Sequence, residues 1–282
     1  MSQPPSIFDT ALIARHLARR PHQGDFVTDL VLADLEDRLA ALIRAFPRAA
    51  IIGPDVDKLP RSGQTASAQF AFERHAAFEG DDDIPALARA QYDLIVSILH
   101  LQAVNDVPGY LARLRARLAP DGLLLLATLG GETLTELREA FLAADSTVAG
   151  GASARVAPML QVRDGGALLQ RAGLALPVAD VETHLVRYPT PFALMAELKA
   201  LGAANPLADR ARRPATRTLL AAAAQSYAQR DADPDGRVRA TLEIVWLSGW
   251  APHESQQQPL KPGSATTRLG DALARHDSSE KD

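Results

Sequence analysis

The sequence contains no cysteine, which excludes disulfides and thiolate-ligated zinc or iron–sulfur sites and fits a reducing compartment. The opening residues, MSQPPSIFDT, lack the basic start and apolar core of a signal peptide, and no apolar run is long enough to span a bilayer. Because the net charge is -4, the chain has no general attraction to nucleic acid. We therefore expect a soluble, cytoplasmic protein without a transmembrane segment or a nucleic-acid partner.

Size and composition allow one large domain. The chain has 282 residues, 47% of them apolar, and can bury a sizeable core. We predict an N-terminal helical arm at residues 1–24, a main domain at 25–250 with a helical elaboration near 190–230, and a polar tail at 251–282. Scattered proline, glycine and serine in the tail predict poor order unless a partner binds it.

The clearest local pattern is a strand, a helix and a strand near the middle of the chain. Tyr92–Ser97 and Leu123–Thr128 are short apolar runs, typical of strands covered on both faces. Between them, Asn105 or Asp106 is a candidate helix N-cap, and the Pro-Asp-Gly turn at 120–122 is predicted to stop the helix. Apolar residues at helical spacing form its buried stripe: Val107, Leu111, Leu114 and Leu118. Such a unit predicts two parallel strands joined by a right-handed crossover.

Other elements follow from the same rules. Further strands are predicted at Ala49–Gly53, Gln69–Glu73, Val178–Tyr188 and, from its alternating pattern, Val238–Trp246. Further helices are predicted at Asp25–Phe46, after Gly131, from a cap at Asp164 to Gly173, from Thr190 to Gly202, and from Thr216 to Tyr227.

Several motifs resemble one known family. The central unit, with its A-P-D-G turn, is similar to strands four and five of class I S-adenosylmethionine-dependent methyltransferases. More narrowly, the motifs resemble the branch that holds the malonyl-carrier-protein methyltransferase of biotin synthesis and the mitochondrial complex I assembly factor reported as an arginine hydroxylase. The matching segments are VNDVPG, LAPDG, LGGETLTELR, GGASARVAP, VRDGGALLQRAG, VRYPTPFALMAELKALG and SGWAPHESQQQPLKPGSA. The resemblance covers roughly Phe8 to Leu269.

The resemblance implies an α/β, Rossmann-like class I methyltransferase fold. The expected sheet is mostly parallel with a late antiparallel strand, and helices lie on both faces. In this family an entry helix near the N terminus crosses the cofactor pocket, and S-adenosylmethionine is the cofactor. The resemblance therefore implies methyl transfer as the activity.

The turn after the first predicted strand departs from the family pattern, roughly D-x-G-x-G-x-G. Glycines there let the backbone approach the cofactor without a Cβ in the way. This chain instead has Gly53 followed by Pro54-Asp55-Val56-Asp57-Lys58. Pro54 lacks an N–H and has a restricted φ angle. The sequence therefore predicts a poor cradle, in which Gly53 and Asp55 are the remaining candidate contacts.

Three further side chains are candidate cofactor contacts. Glu73 stands where an acid would accept hydrogen bonds from the ribose hydroxyls, or it is an ordinary surface acid. Asp82 or Asp83 could face the adenine amino group, or belong to a solvated acidic turn. Gln102 lies after the fourth family strand, where the branch reads L-H-W-V-N-D and this chain reads L-Q-A-V-N-D. The imidazole and indole of the family pocket are thus replaced by an amide and a methyl group.

No other catalytic apparatus is legible, and the catalytic residues stay unassigned. No two histidines lie at i and i+4, so no metal site is expected. His100 is the candidate base, with a loop residue as the alternative. Arg155, Arg163 and Arg187 could bind an anionic substrate or form ordinary ion pairs.

Three hypotheses follow. The first is a methyltransferase of this branch with a degenerate cofactor loop. The second is a non-catalytic methyltransferase-fold protein that binds a partner protein through residues 248–265, as an assembly factor would. The third, a hydroxylase, lacks a legible iron-binding triad of two histidines and a carboxylate.

Overall fold

Seven strands form one sheet in the computed structural model, which describes residues 6–20, 25–77 and 84–257. The strands are β1 (Ala49–Gly53), β2 (Ser62–Gln64), β3 (Gln69–Ala76), β4 (Tyr92–Ile98), β5 (Leu118–Leu129), β6 (Ala175–Tyr188) and β7 (Val238–Trp250). The helices are α1 (Thr10–Leu17), α2 (Phe26–Ala40), α3 (Val107–Arg115), α4 (Thr135–Ala144), α5 (Val162–Arg171), α6 (Pro191–Ala200) and α7 (Arg217–Asp231). A short 3-10 turn, Leu101–Ala103, follows β4, and a π-helical turn, Asp145–Ala149, follows α4.

The strand order is β2-β3-β1-β4-β5-β7-β6. The four neighbouring strands β3, β1, β4 and β5 run parallel, whereas β7 is antiparallel to both of its neighbours, β5 and β6. The predicted α/β fold, with a mostly parallel sheet and a late antiparallel strand, is confirmed. The short strand β2, antiparallel to β3 at the sheet edge, is an additional feature.

Two apolar layers cover the two faces of the sheet. Alternate residues of a strand point to opposite faces, so adjacent β1 residues enter different layers. Ile51 packs with Val31 and Leu35 of α2, and Ile52 belongs to the layer that contains Leu111 of α3. Burial on both faces is the physical reason why the central strands have near-continuous apolar sequences.

The compact unit formed by residues 1–252 contains all of these elements, and a second unit comprises residues 253–282. Within the second unit, His253 Nδ1 lies 2.7 Å from Ser255 Oγ. Most of the predicted tail, at 258–282, lies outside the described residues. The predicted division into an arm, a main domain and a tail stays a prediction. Among the described residues, no helix combines the length and the apolarity needed to cross a membrane.

Three predicted helix ends were wrong. Helix α3 ends at Arg115, and Leu118 opens β5 opposite Tyr92, because strand pairing overrides the helical spacing of its side chain. Helix α2 ends at Ala40, and the fully buried Phe46 lies in the extended segment beyond it. Gln161 occupies the cap position of α5, and Asp164 lies inside the first turn.

Asn105 and Asp106 have different roles in the V-N-D-V-P-G motif. Asp106 is the N-cap of α3, since its carboxylate accepts a hydrogen bond from Gly109 N at 2.9 Å. Asn105 Oδ1 accepts hydrogen bonds from Ile7 N and Phe8 N, both at 2.8 Å, and its Nδ2 donates to Phe8 O at 3.1 Å. Asn105 therefore fastens the N-terminal arm to the sheet.

Replacement of Asn105 by alanine is expected to loosen this arm. The change removes three hydrogen bonds, and at this partly exposed site we expect a loss of about 1–2 kcal/mol of local stability. Amide hydrogen exchange at Ile7 and Phe8 should become roughly tenfold faster or more. The matched change Asp106→Ala should weaken the start of α3 and spare these two amides. Unchanged exchange at both amides in the Asn105 variant would show that the arm is held by other contacts.

Candidate functional site

A cavity of about 250 Å³ lies at the carboxyl ends of the parallel strands. This is the edge of an open α/β sheet at which ligands bind. Pro54 follows β1, Leu99 and Gln102 follow β4, and Leu129 ends β5, so three strands contribute to its floor. Side chains from α1, α4 and α6 and from neighbouring loops add an apolar wall that includes Ile13, Leu17, Leu134, Leu137, Met159, Leu194 and Leu198.

The roof of the cavity is formed by α1, α6 and the loop after α6. Thr190 caps α6 by accepting a hydrogen bond from Ala193 N at 3.1 Å, and Gly202 ends the helical segment with a φ of +74°. A Cβ at Gly202 would lie 3.1 Å from the carbonyl oxygen of His16. Glycine at this position therefore permits both the positive φ angle and the close approach of α6 to the N-terminal arm. The predicted cap and stop of α6 are confirmed.

The turn after β1 is filled by the protein's own side chains. A Cβ built on Gly53 would lie 2.7 Å from Leu59 Cδ2 and 3.0 Å from Ile98 Cγ1. Leu59 is buried and comes from the turn that leads to β2. No helix follows β1 in this connection, which runs through the turn and the short strand β2 into β3. The lack of a side chain on Gly53 thus serves packing within the protein.

A buried ion-pair cluster joins this turn to the N-terminal arm. Arg20 donates to Asp25 and also pairs with Asp55, each at an N–O distance of 3.1 Å. The three side chains are 7%, 8% and 9% exposed, so the cluster is shielded from water. Thr28 Oγ1 donates a further hydrogen bond to Asp25 at 2.7 Å. The candidate contact Asp55 is therefore engaged by an arginine of the same chain.

Glu73 lies three residues before the end of β3, opposite Ala50 of β1. Its Oε2 accepts a hydrogen bond from Tyr92 Oη at 2.6 Å, and His75 Nε2 lies 2.9 Å from its Oε1. Burial, together with this hydrogen bond, raises the pKa of Tyr92 to about 12. The predicted ribose contact at Glu73 stays a prediction, and the predicted contact at Asp82 or Asp83 lies outside the described residues.

Gln102 lines the cavity from the 3-10 turn after β4. Its Nε2 donates to Leu99 O at 2.9 Å, and its Oε1 accepts from Thr128 Oγ1 at 3.0 Å. His100, the candidate base, is fully buried in an edge-to-face contact with Tyr110, with ring centroids 5.3 Å apart. Sequence reasoning thus located Gln102 at the cavity, while His100 packs into the core.

The three candidate arginines occupy different surroundings. Arg155 lines the cavity, and its guanidinium donates two hydrogen bonds of 2.7 Å to the fully buried carboxylate of Asp145. Arg187 pairs with Asp233 and Asp235 on the surface. The side chain of Arg163 is 85% exposed. Of the three, Arg155 alone is part of the described cavity wall.

Several residues that shape this site were not predicted. Arg20 looks like any arginine in a polar arm, and Leu59 looks like an apolar residue in a turn. Asp145 lies at the junction of α4 and the π-helical turn, and no local pattern links it to Arg155. In the described part of the chain, no three His, Asp or Glu side chains come close enough together to hold a metal ion.

Comparison with known proteins identifies the family of this chain. A family model described as a methyltransferase domain matches residues 14–205. The mitochondrial arginine-hydroxylase NDUFAF5 of Mus musculus is 32% identical over 293 residues, covering 96% of this chain and 85% of the relative. NDUFAF5 of Danio rerio is 36% identical over 259 residues, covering 92% and 71%. Malonyl-[acyl-carrier protein] O-methyltransferase of Laribacter hongkongensis is 37% identical over 177 residues, covering 63% and 57%.

The strand order and the position of the cavity define a protein with the class I methyltransferase fold. The chain belongs to the methyltransferase-domain family. Within it, its relatives are NDUFAF5 and malonyl-[acyl-carrier protein] O-methyltransferase, as the sequence motifs predicted.

Proposed function

We propose that this chain is a non-catalytic methyltransferase-fold protein, a pseudoenzyme, that acts as a binding or assembly factor for a partner protein. One observation carries the proposal: the turn after β1, where the family holds its cofactor, is packed by the protein itself. Leu59 and Ile98 pack against Gly53, and Arg20 forms an ion pair with Asp55. A ligand at this turn would have to displace both contacts.

The chemistry of S-adenosylmethionine supports the same proposal. The molecule carries a sulfonium, an amino group, a carboxylate and ribose hydroxyls, and such groups need polar partners when they leave water. Here Asp55 is paired with Arg20, and the amide of Gln102 is bonded to Leu99 and Thr128. Pro54 offers no N–H. These two polar side chains are thus already used within the protein.

Retained methyl transfer is the second candidate, and the cavity at the strand ends favours it. Positioning of donor and acceptor can supply much of the rate of a transfer reaction, so few acid–base side chains are required. In that case S-adenosylmethionine would contact Gly53, Asp55, Glu73, Asp82 and Gln102. This arrangement requires the pair between Arg20 and Asp55 to open when the cofactor binds.

Isothermal titration with S-adenosylmethionine, and separately with S-adenosylhomocysteine, tests the two candidates. For the non-catalytic protein we expect no saturable heat at ligand concentrations up to about 1 mM, a binding free energy weaker than about −4 kcal/mol. A methyltransferase that binds the cofactor serves as the control under the same conditions. Saturable binding in the micromolar range would overturn the proposal and restore the enzyme.

The first residues of the partner surface proposed at 248–265 belong to the central sheet. Ser248 and Trp250 lie in β7 between β5 and β6, and the Trp250 ring is stacked by the Arg44 guanidinium at 5.3 Å. Residues 258–265 lie outside the described residues. A truncation that tests this surface should therefore spare β7. Separately, the cytoplasmic location of the protein remains a prediction.

A chain that ends at Pro252 tests this surface without removing a strand of the sheet. We expect in-cell cross-linking to capture a specific partner with the full chain and to lose it with the shortened chain. The shortened chain must keep the circular dichroism spectrum and melting temperature of the full chain. Equal capture of the same partner by both chains would remove the proposed surface.

A further inference from the structure

The described lining of the cavity at the strand ends presents almost no free polar side chain to a ligand. Among the described residues, 32 line the cavity; nine of them have polar side chains, and each of the nine is hydrogen-bonded or ion-paired within the protein. Arg20 is paired with Asp25, Arg155 is paired with Asp145, and the amide of Asn205 donates to Ala154 O at 2.8 Å. What remains for a ligand to contact is mainly C–H surface.

Paired charges decide which ligands this cavity disfavours. An anionic ligand would need a free cation, and both lining arginines already have buried carboxylate partners. A cationic ligand would have to compete with Arg20 for Asp25. Since burial of an unpaired charge is strongly unfavourable, the cavity favours an uncharged ligand over an anionic one.

Size and lining set the shape of the ligand. A dry protein cavity of about 150 Å³ accepts benzene, with its six carbons, so about 250 Å³ corresponds to roughly ten carbons. The apolar wall is mostly leucine, alanine and valine, together with Met159, and such side chains adapt to a flexible chain. A single aliphatic chain fits this volume.

We propose that the cavity binds one neutral aliphatic chain of about ten carbon atoms. The inference rests on the proposed function, because a methyl donor bound beside Pro54 would take part of the same space. It also goes beyond it, since it gives the non-catalytic protein a small-molecule ligand.

Displacement of a neutral fluorescent probe, N-phenyl-1-naphthylamine, from the full chain by straight-chain alcohols tests the proposal. Affinity should rise about fourfold for each added CH₂ from hexan-1-ol to decan-1-ol and then level off. Decanoate should bind at least tenfold more weakly than decan-1-ol, because both arginines in the described lining of the cavity are already paired with carboxylates. Failure of every alcohol to displace the probe, or decanoate as tight as decan-1-ol, would overturn the proposal.

Two variants locate the binding. Ala204→Trp fills the cavity from the loop after α6 and should lower the affinity for decan-1-ol at least tenfold. The control Ala211→Trp, at an exposed residue outside this cavity, should leave that affinity unchanged. Leu198→Ala enlarges the cavity and should move the best chain length from about ten carbons toward about twelve. An unchanged length preference in Leu198→Ala contradicts the assignment, even if Ala204→Trp fails to fold.

Failure of this inference is distinguishable from failure of the proposed function. Displacement of the probe by S-adenosylmethionine would overturn the non-catalytic proposal and, with it, the assignment of the space to an aliphatic ligand. Absence of binding by both S-adenosylmethionine and the alcohols would overturn the aliphatic ligand alone.

Discussion

Replacement of Arg155 by methionine is expected to lower the free energy of unfolding by about 3–5 kcal/mol. Asp145 is fully buried, and both of its carboxylate oxygens accept hydrogen bonds from Arg155. Methionine preserves much of the aliphatic stem but leaves this carboxylate without its cation. The variant also loses the stacking of the guanidinium on Phe141, at 5.4 Å. Urea unfolding followed by circular dichroism measures the change.

Two comparisons separate charge pairing from simple loss of an arginine. Arg163→Met changes an exposed side chain and should alter the free energy of unfolding by less than about 0.5 kcal/mol. The double variant Asp145→Leu with Arg155→Met removes both charges and should be more stable than Arg155→Met alone, because no unpaired charge remains buried. A loss of less than about 1 kcal/mol in the single variant would mean that water reaches Asp145.

Alkaline pH is expected to destabilise this protein steeply between about pH 10 and pH 12. Burial, with the hydrogen bond to Glu73, raises the pKa of Tyr92 to about 12. Burial also raises the pKa values of Tyr188, which is bonded to Glu197, and of Tyr227, which lies near Glu136 and Asp231. These are three of the four tyrosines in the chain. The folded protein thus keeps three phenol protons that the unfolded chain releases near pH 10.

The sign follows from proton binding. Below pH 10 both states hold these protons and the stabilisation is complete, whereas above pH 10 the unfolded state binds fewer protons and gains stability relative to the folded state. Each proton that the folded state retains lowers the free energy of unfolding by about 1.4 kcal/mol per pH unit above pH 10. Three such protons lower it by about 4 kcal/mol per pH unit. We expect a loss of about 3 kcal/mol per pH unit near pH 11, since Tyr92 begins to ionise and Tyr188 is only half-buried.

Absorbance at 295 nm, which reports tyrosinate, checks this expectation. In the folded protein at pH 11 at least three of the four tyrosines, Tyr92, Tyr188 and Tyr227, should remain largely protonated, and in concentrated urea all four should ionise near pH 10. Tyr92→Phe should reduce the slope of unfolding free energy against pH by about one third. Ionisation of all four side chains near pH 10 in the folded state would contradict the burial described for them.

Local patterns were sufficient for much of the fold. Strand β1 was predicted with its observed bounds, and the alternation of Val238–Trp246 identified an antiparallel strand. Thr190 was predicted as the cap of α6, and its side chain accepts a hydrogen bond from Ala193 N at 3.1 Å. Each of these signals lies within one element, where apolar periodicity and capping chemistry act over a few residues.

Local sequence patterns failed where contact with a distant segment determines the conformation or the role of a residue. Leu118 has the spacing of a helical residue, yet its pairing with Tyr92 makes it part of β5. Asn105 reads as a cap and instead binds the backbone of Ile7 and Phe8. Gly53 and Gln102 became candidates through the resemblance to the family, but their packing and hydrogen-bond partners could not be predicted from the sequence.

By itself, the sequence determined six of the seven strands described, most of the helices, the family, and the loss of the glycine-rich turn. The tertiary structure alone decided that Arg20 pairs with Asp25 and Asp55, that Arg155 pairs with Asp145, and that the polar side chains described around the cavity are bonded within the protein. The physical reason is range: apolar periodicity is a property of neighbouring residues, whereas a hydrogen bond or an ion pair forms wherever folding brings two groups within about 3 Å.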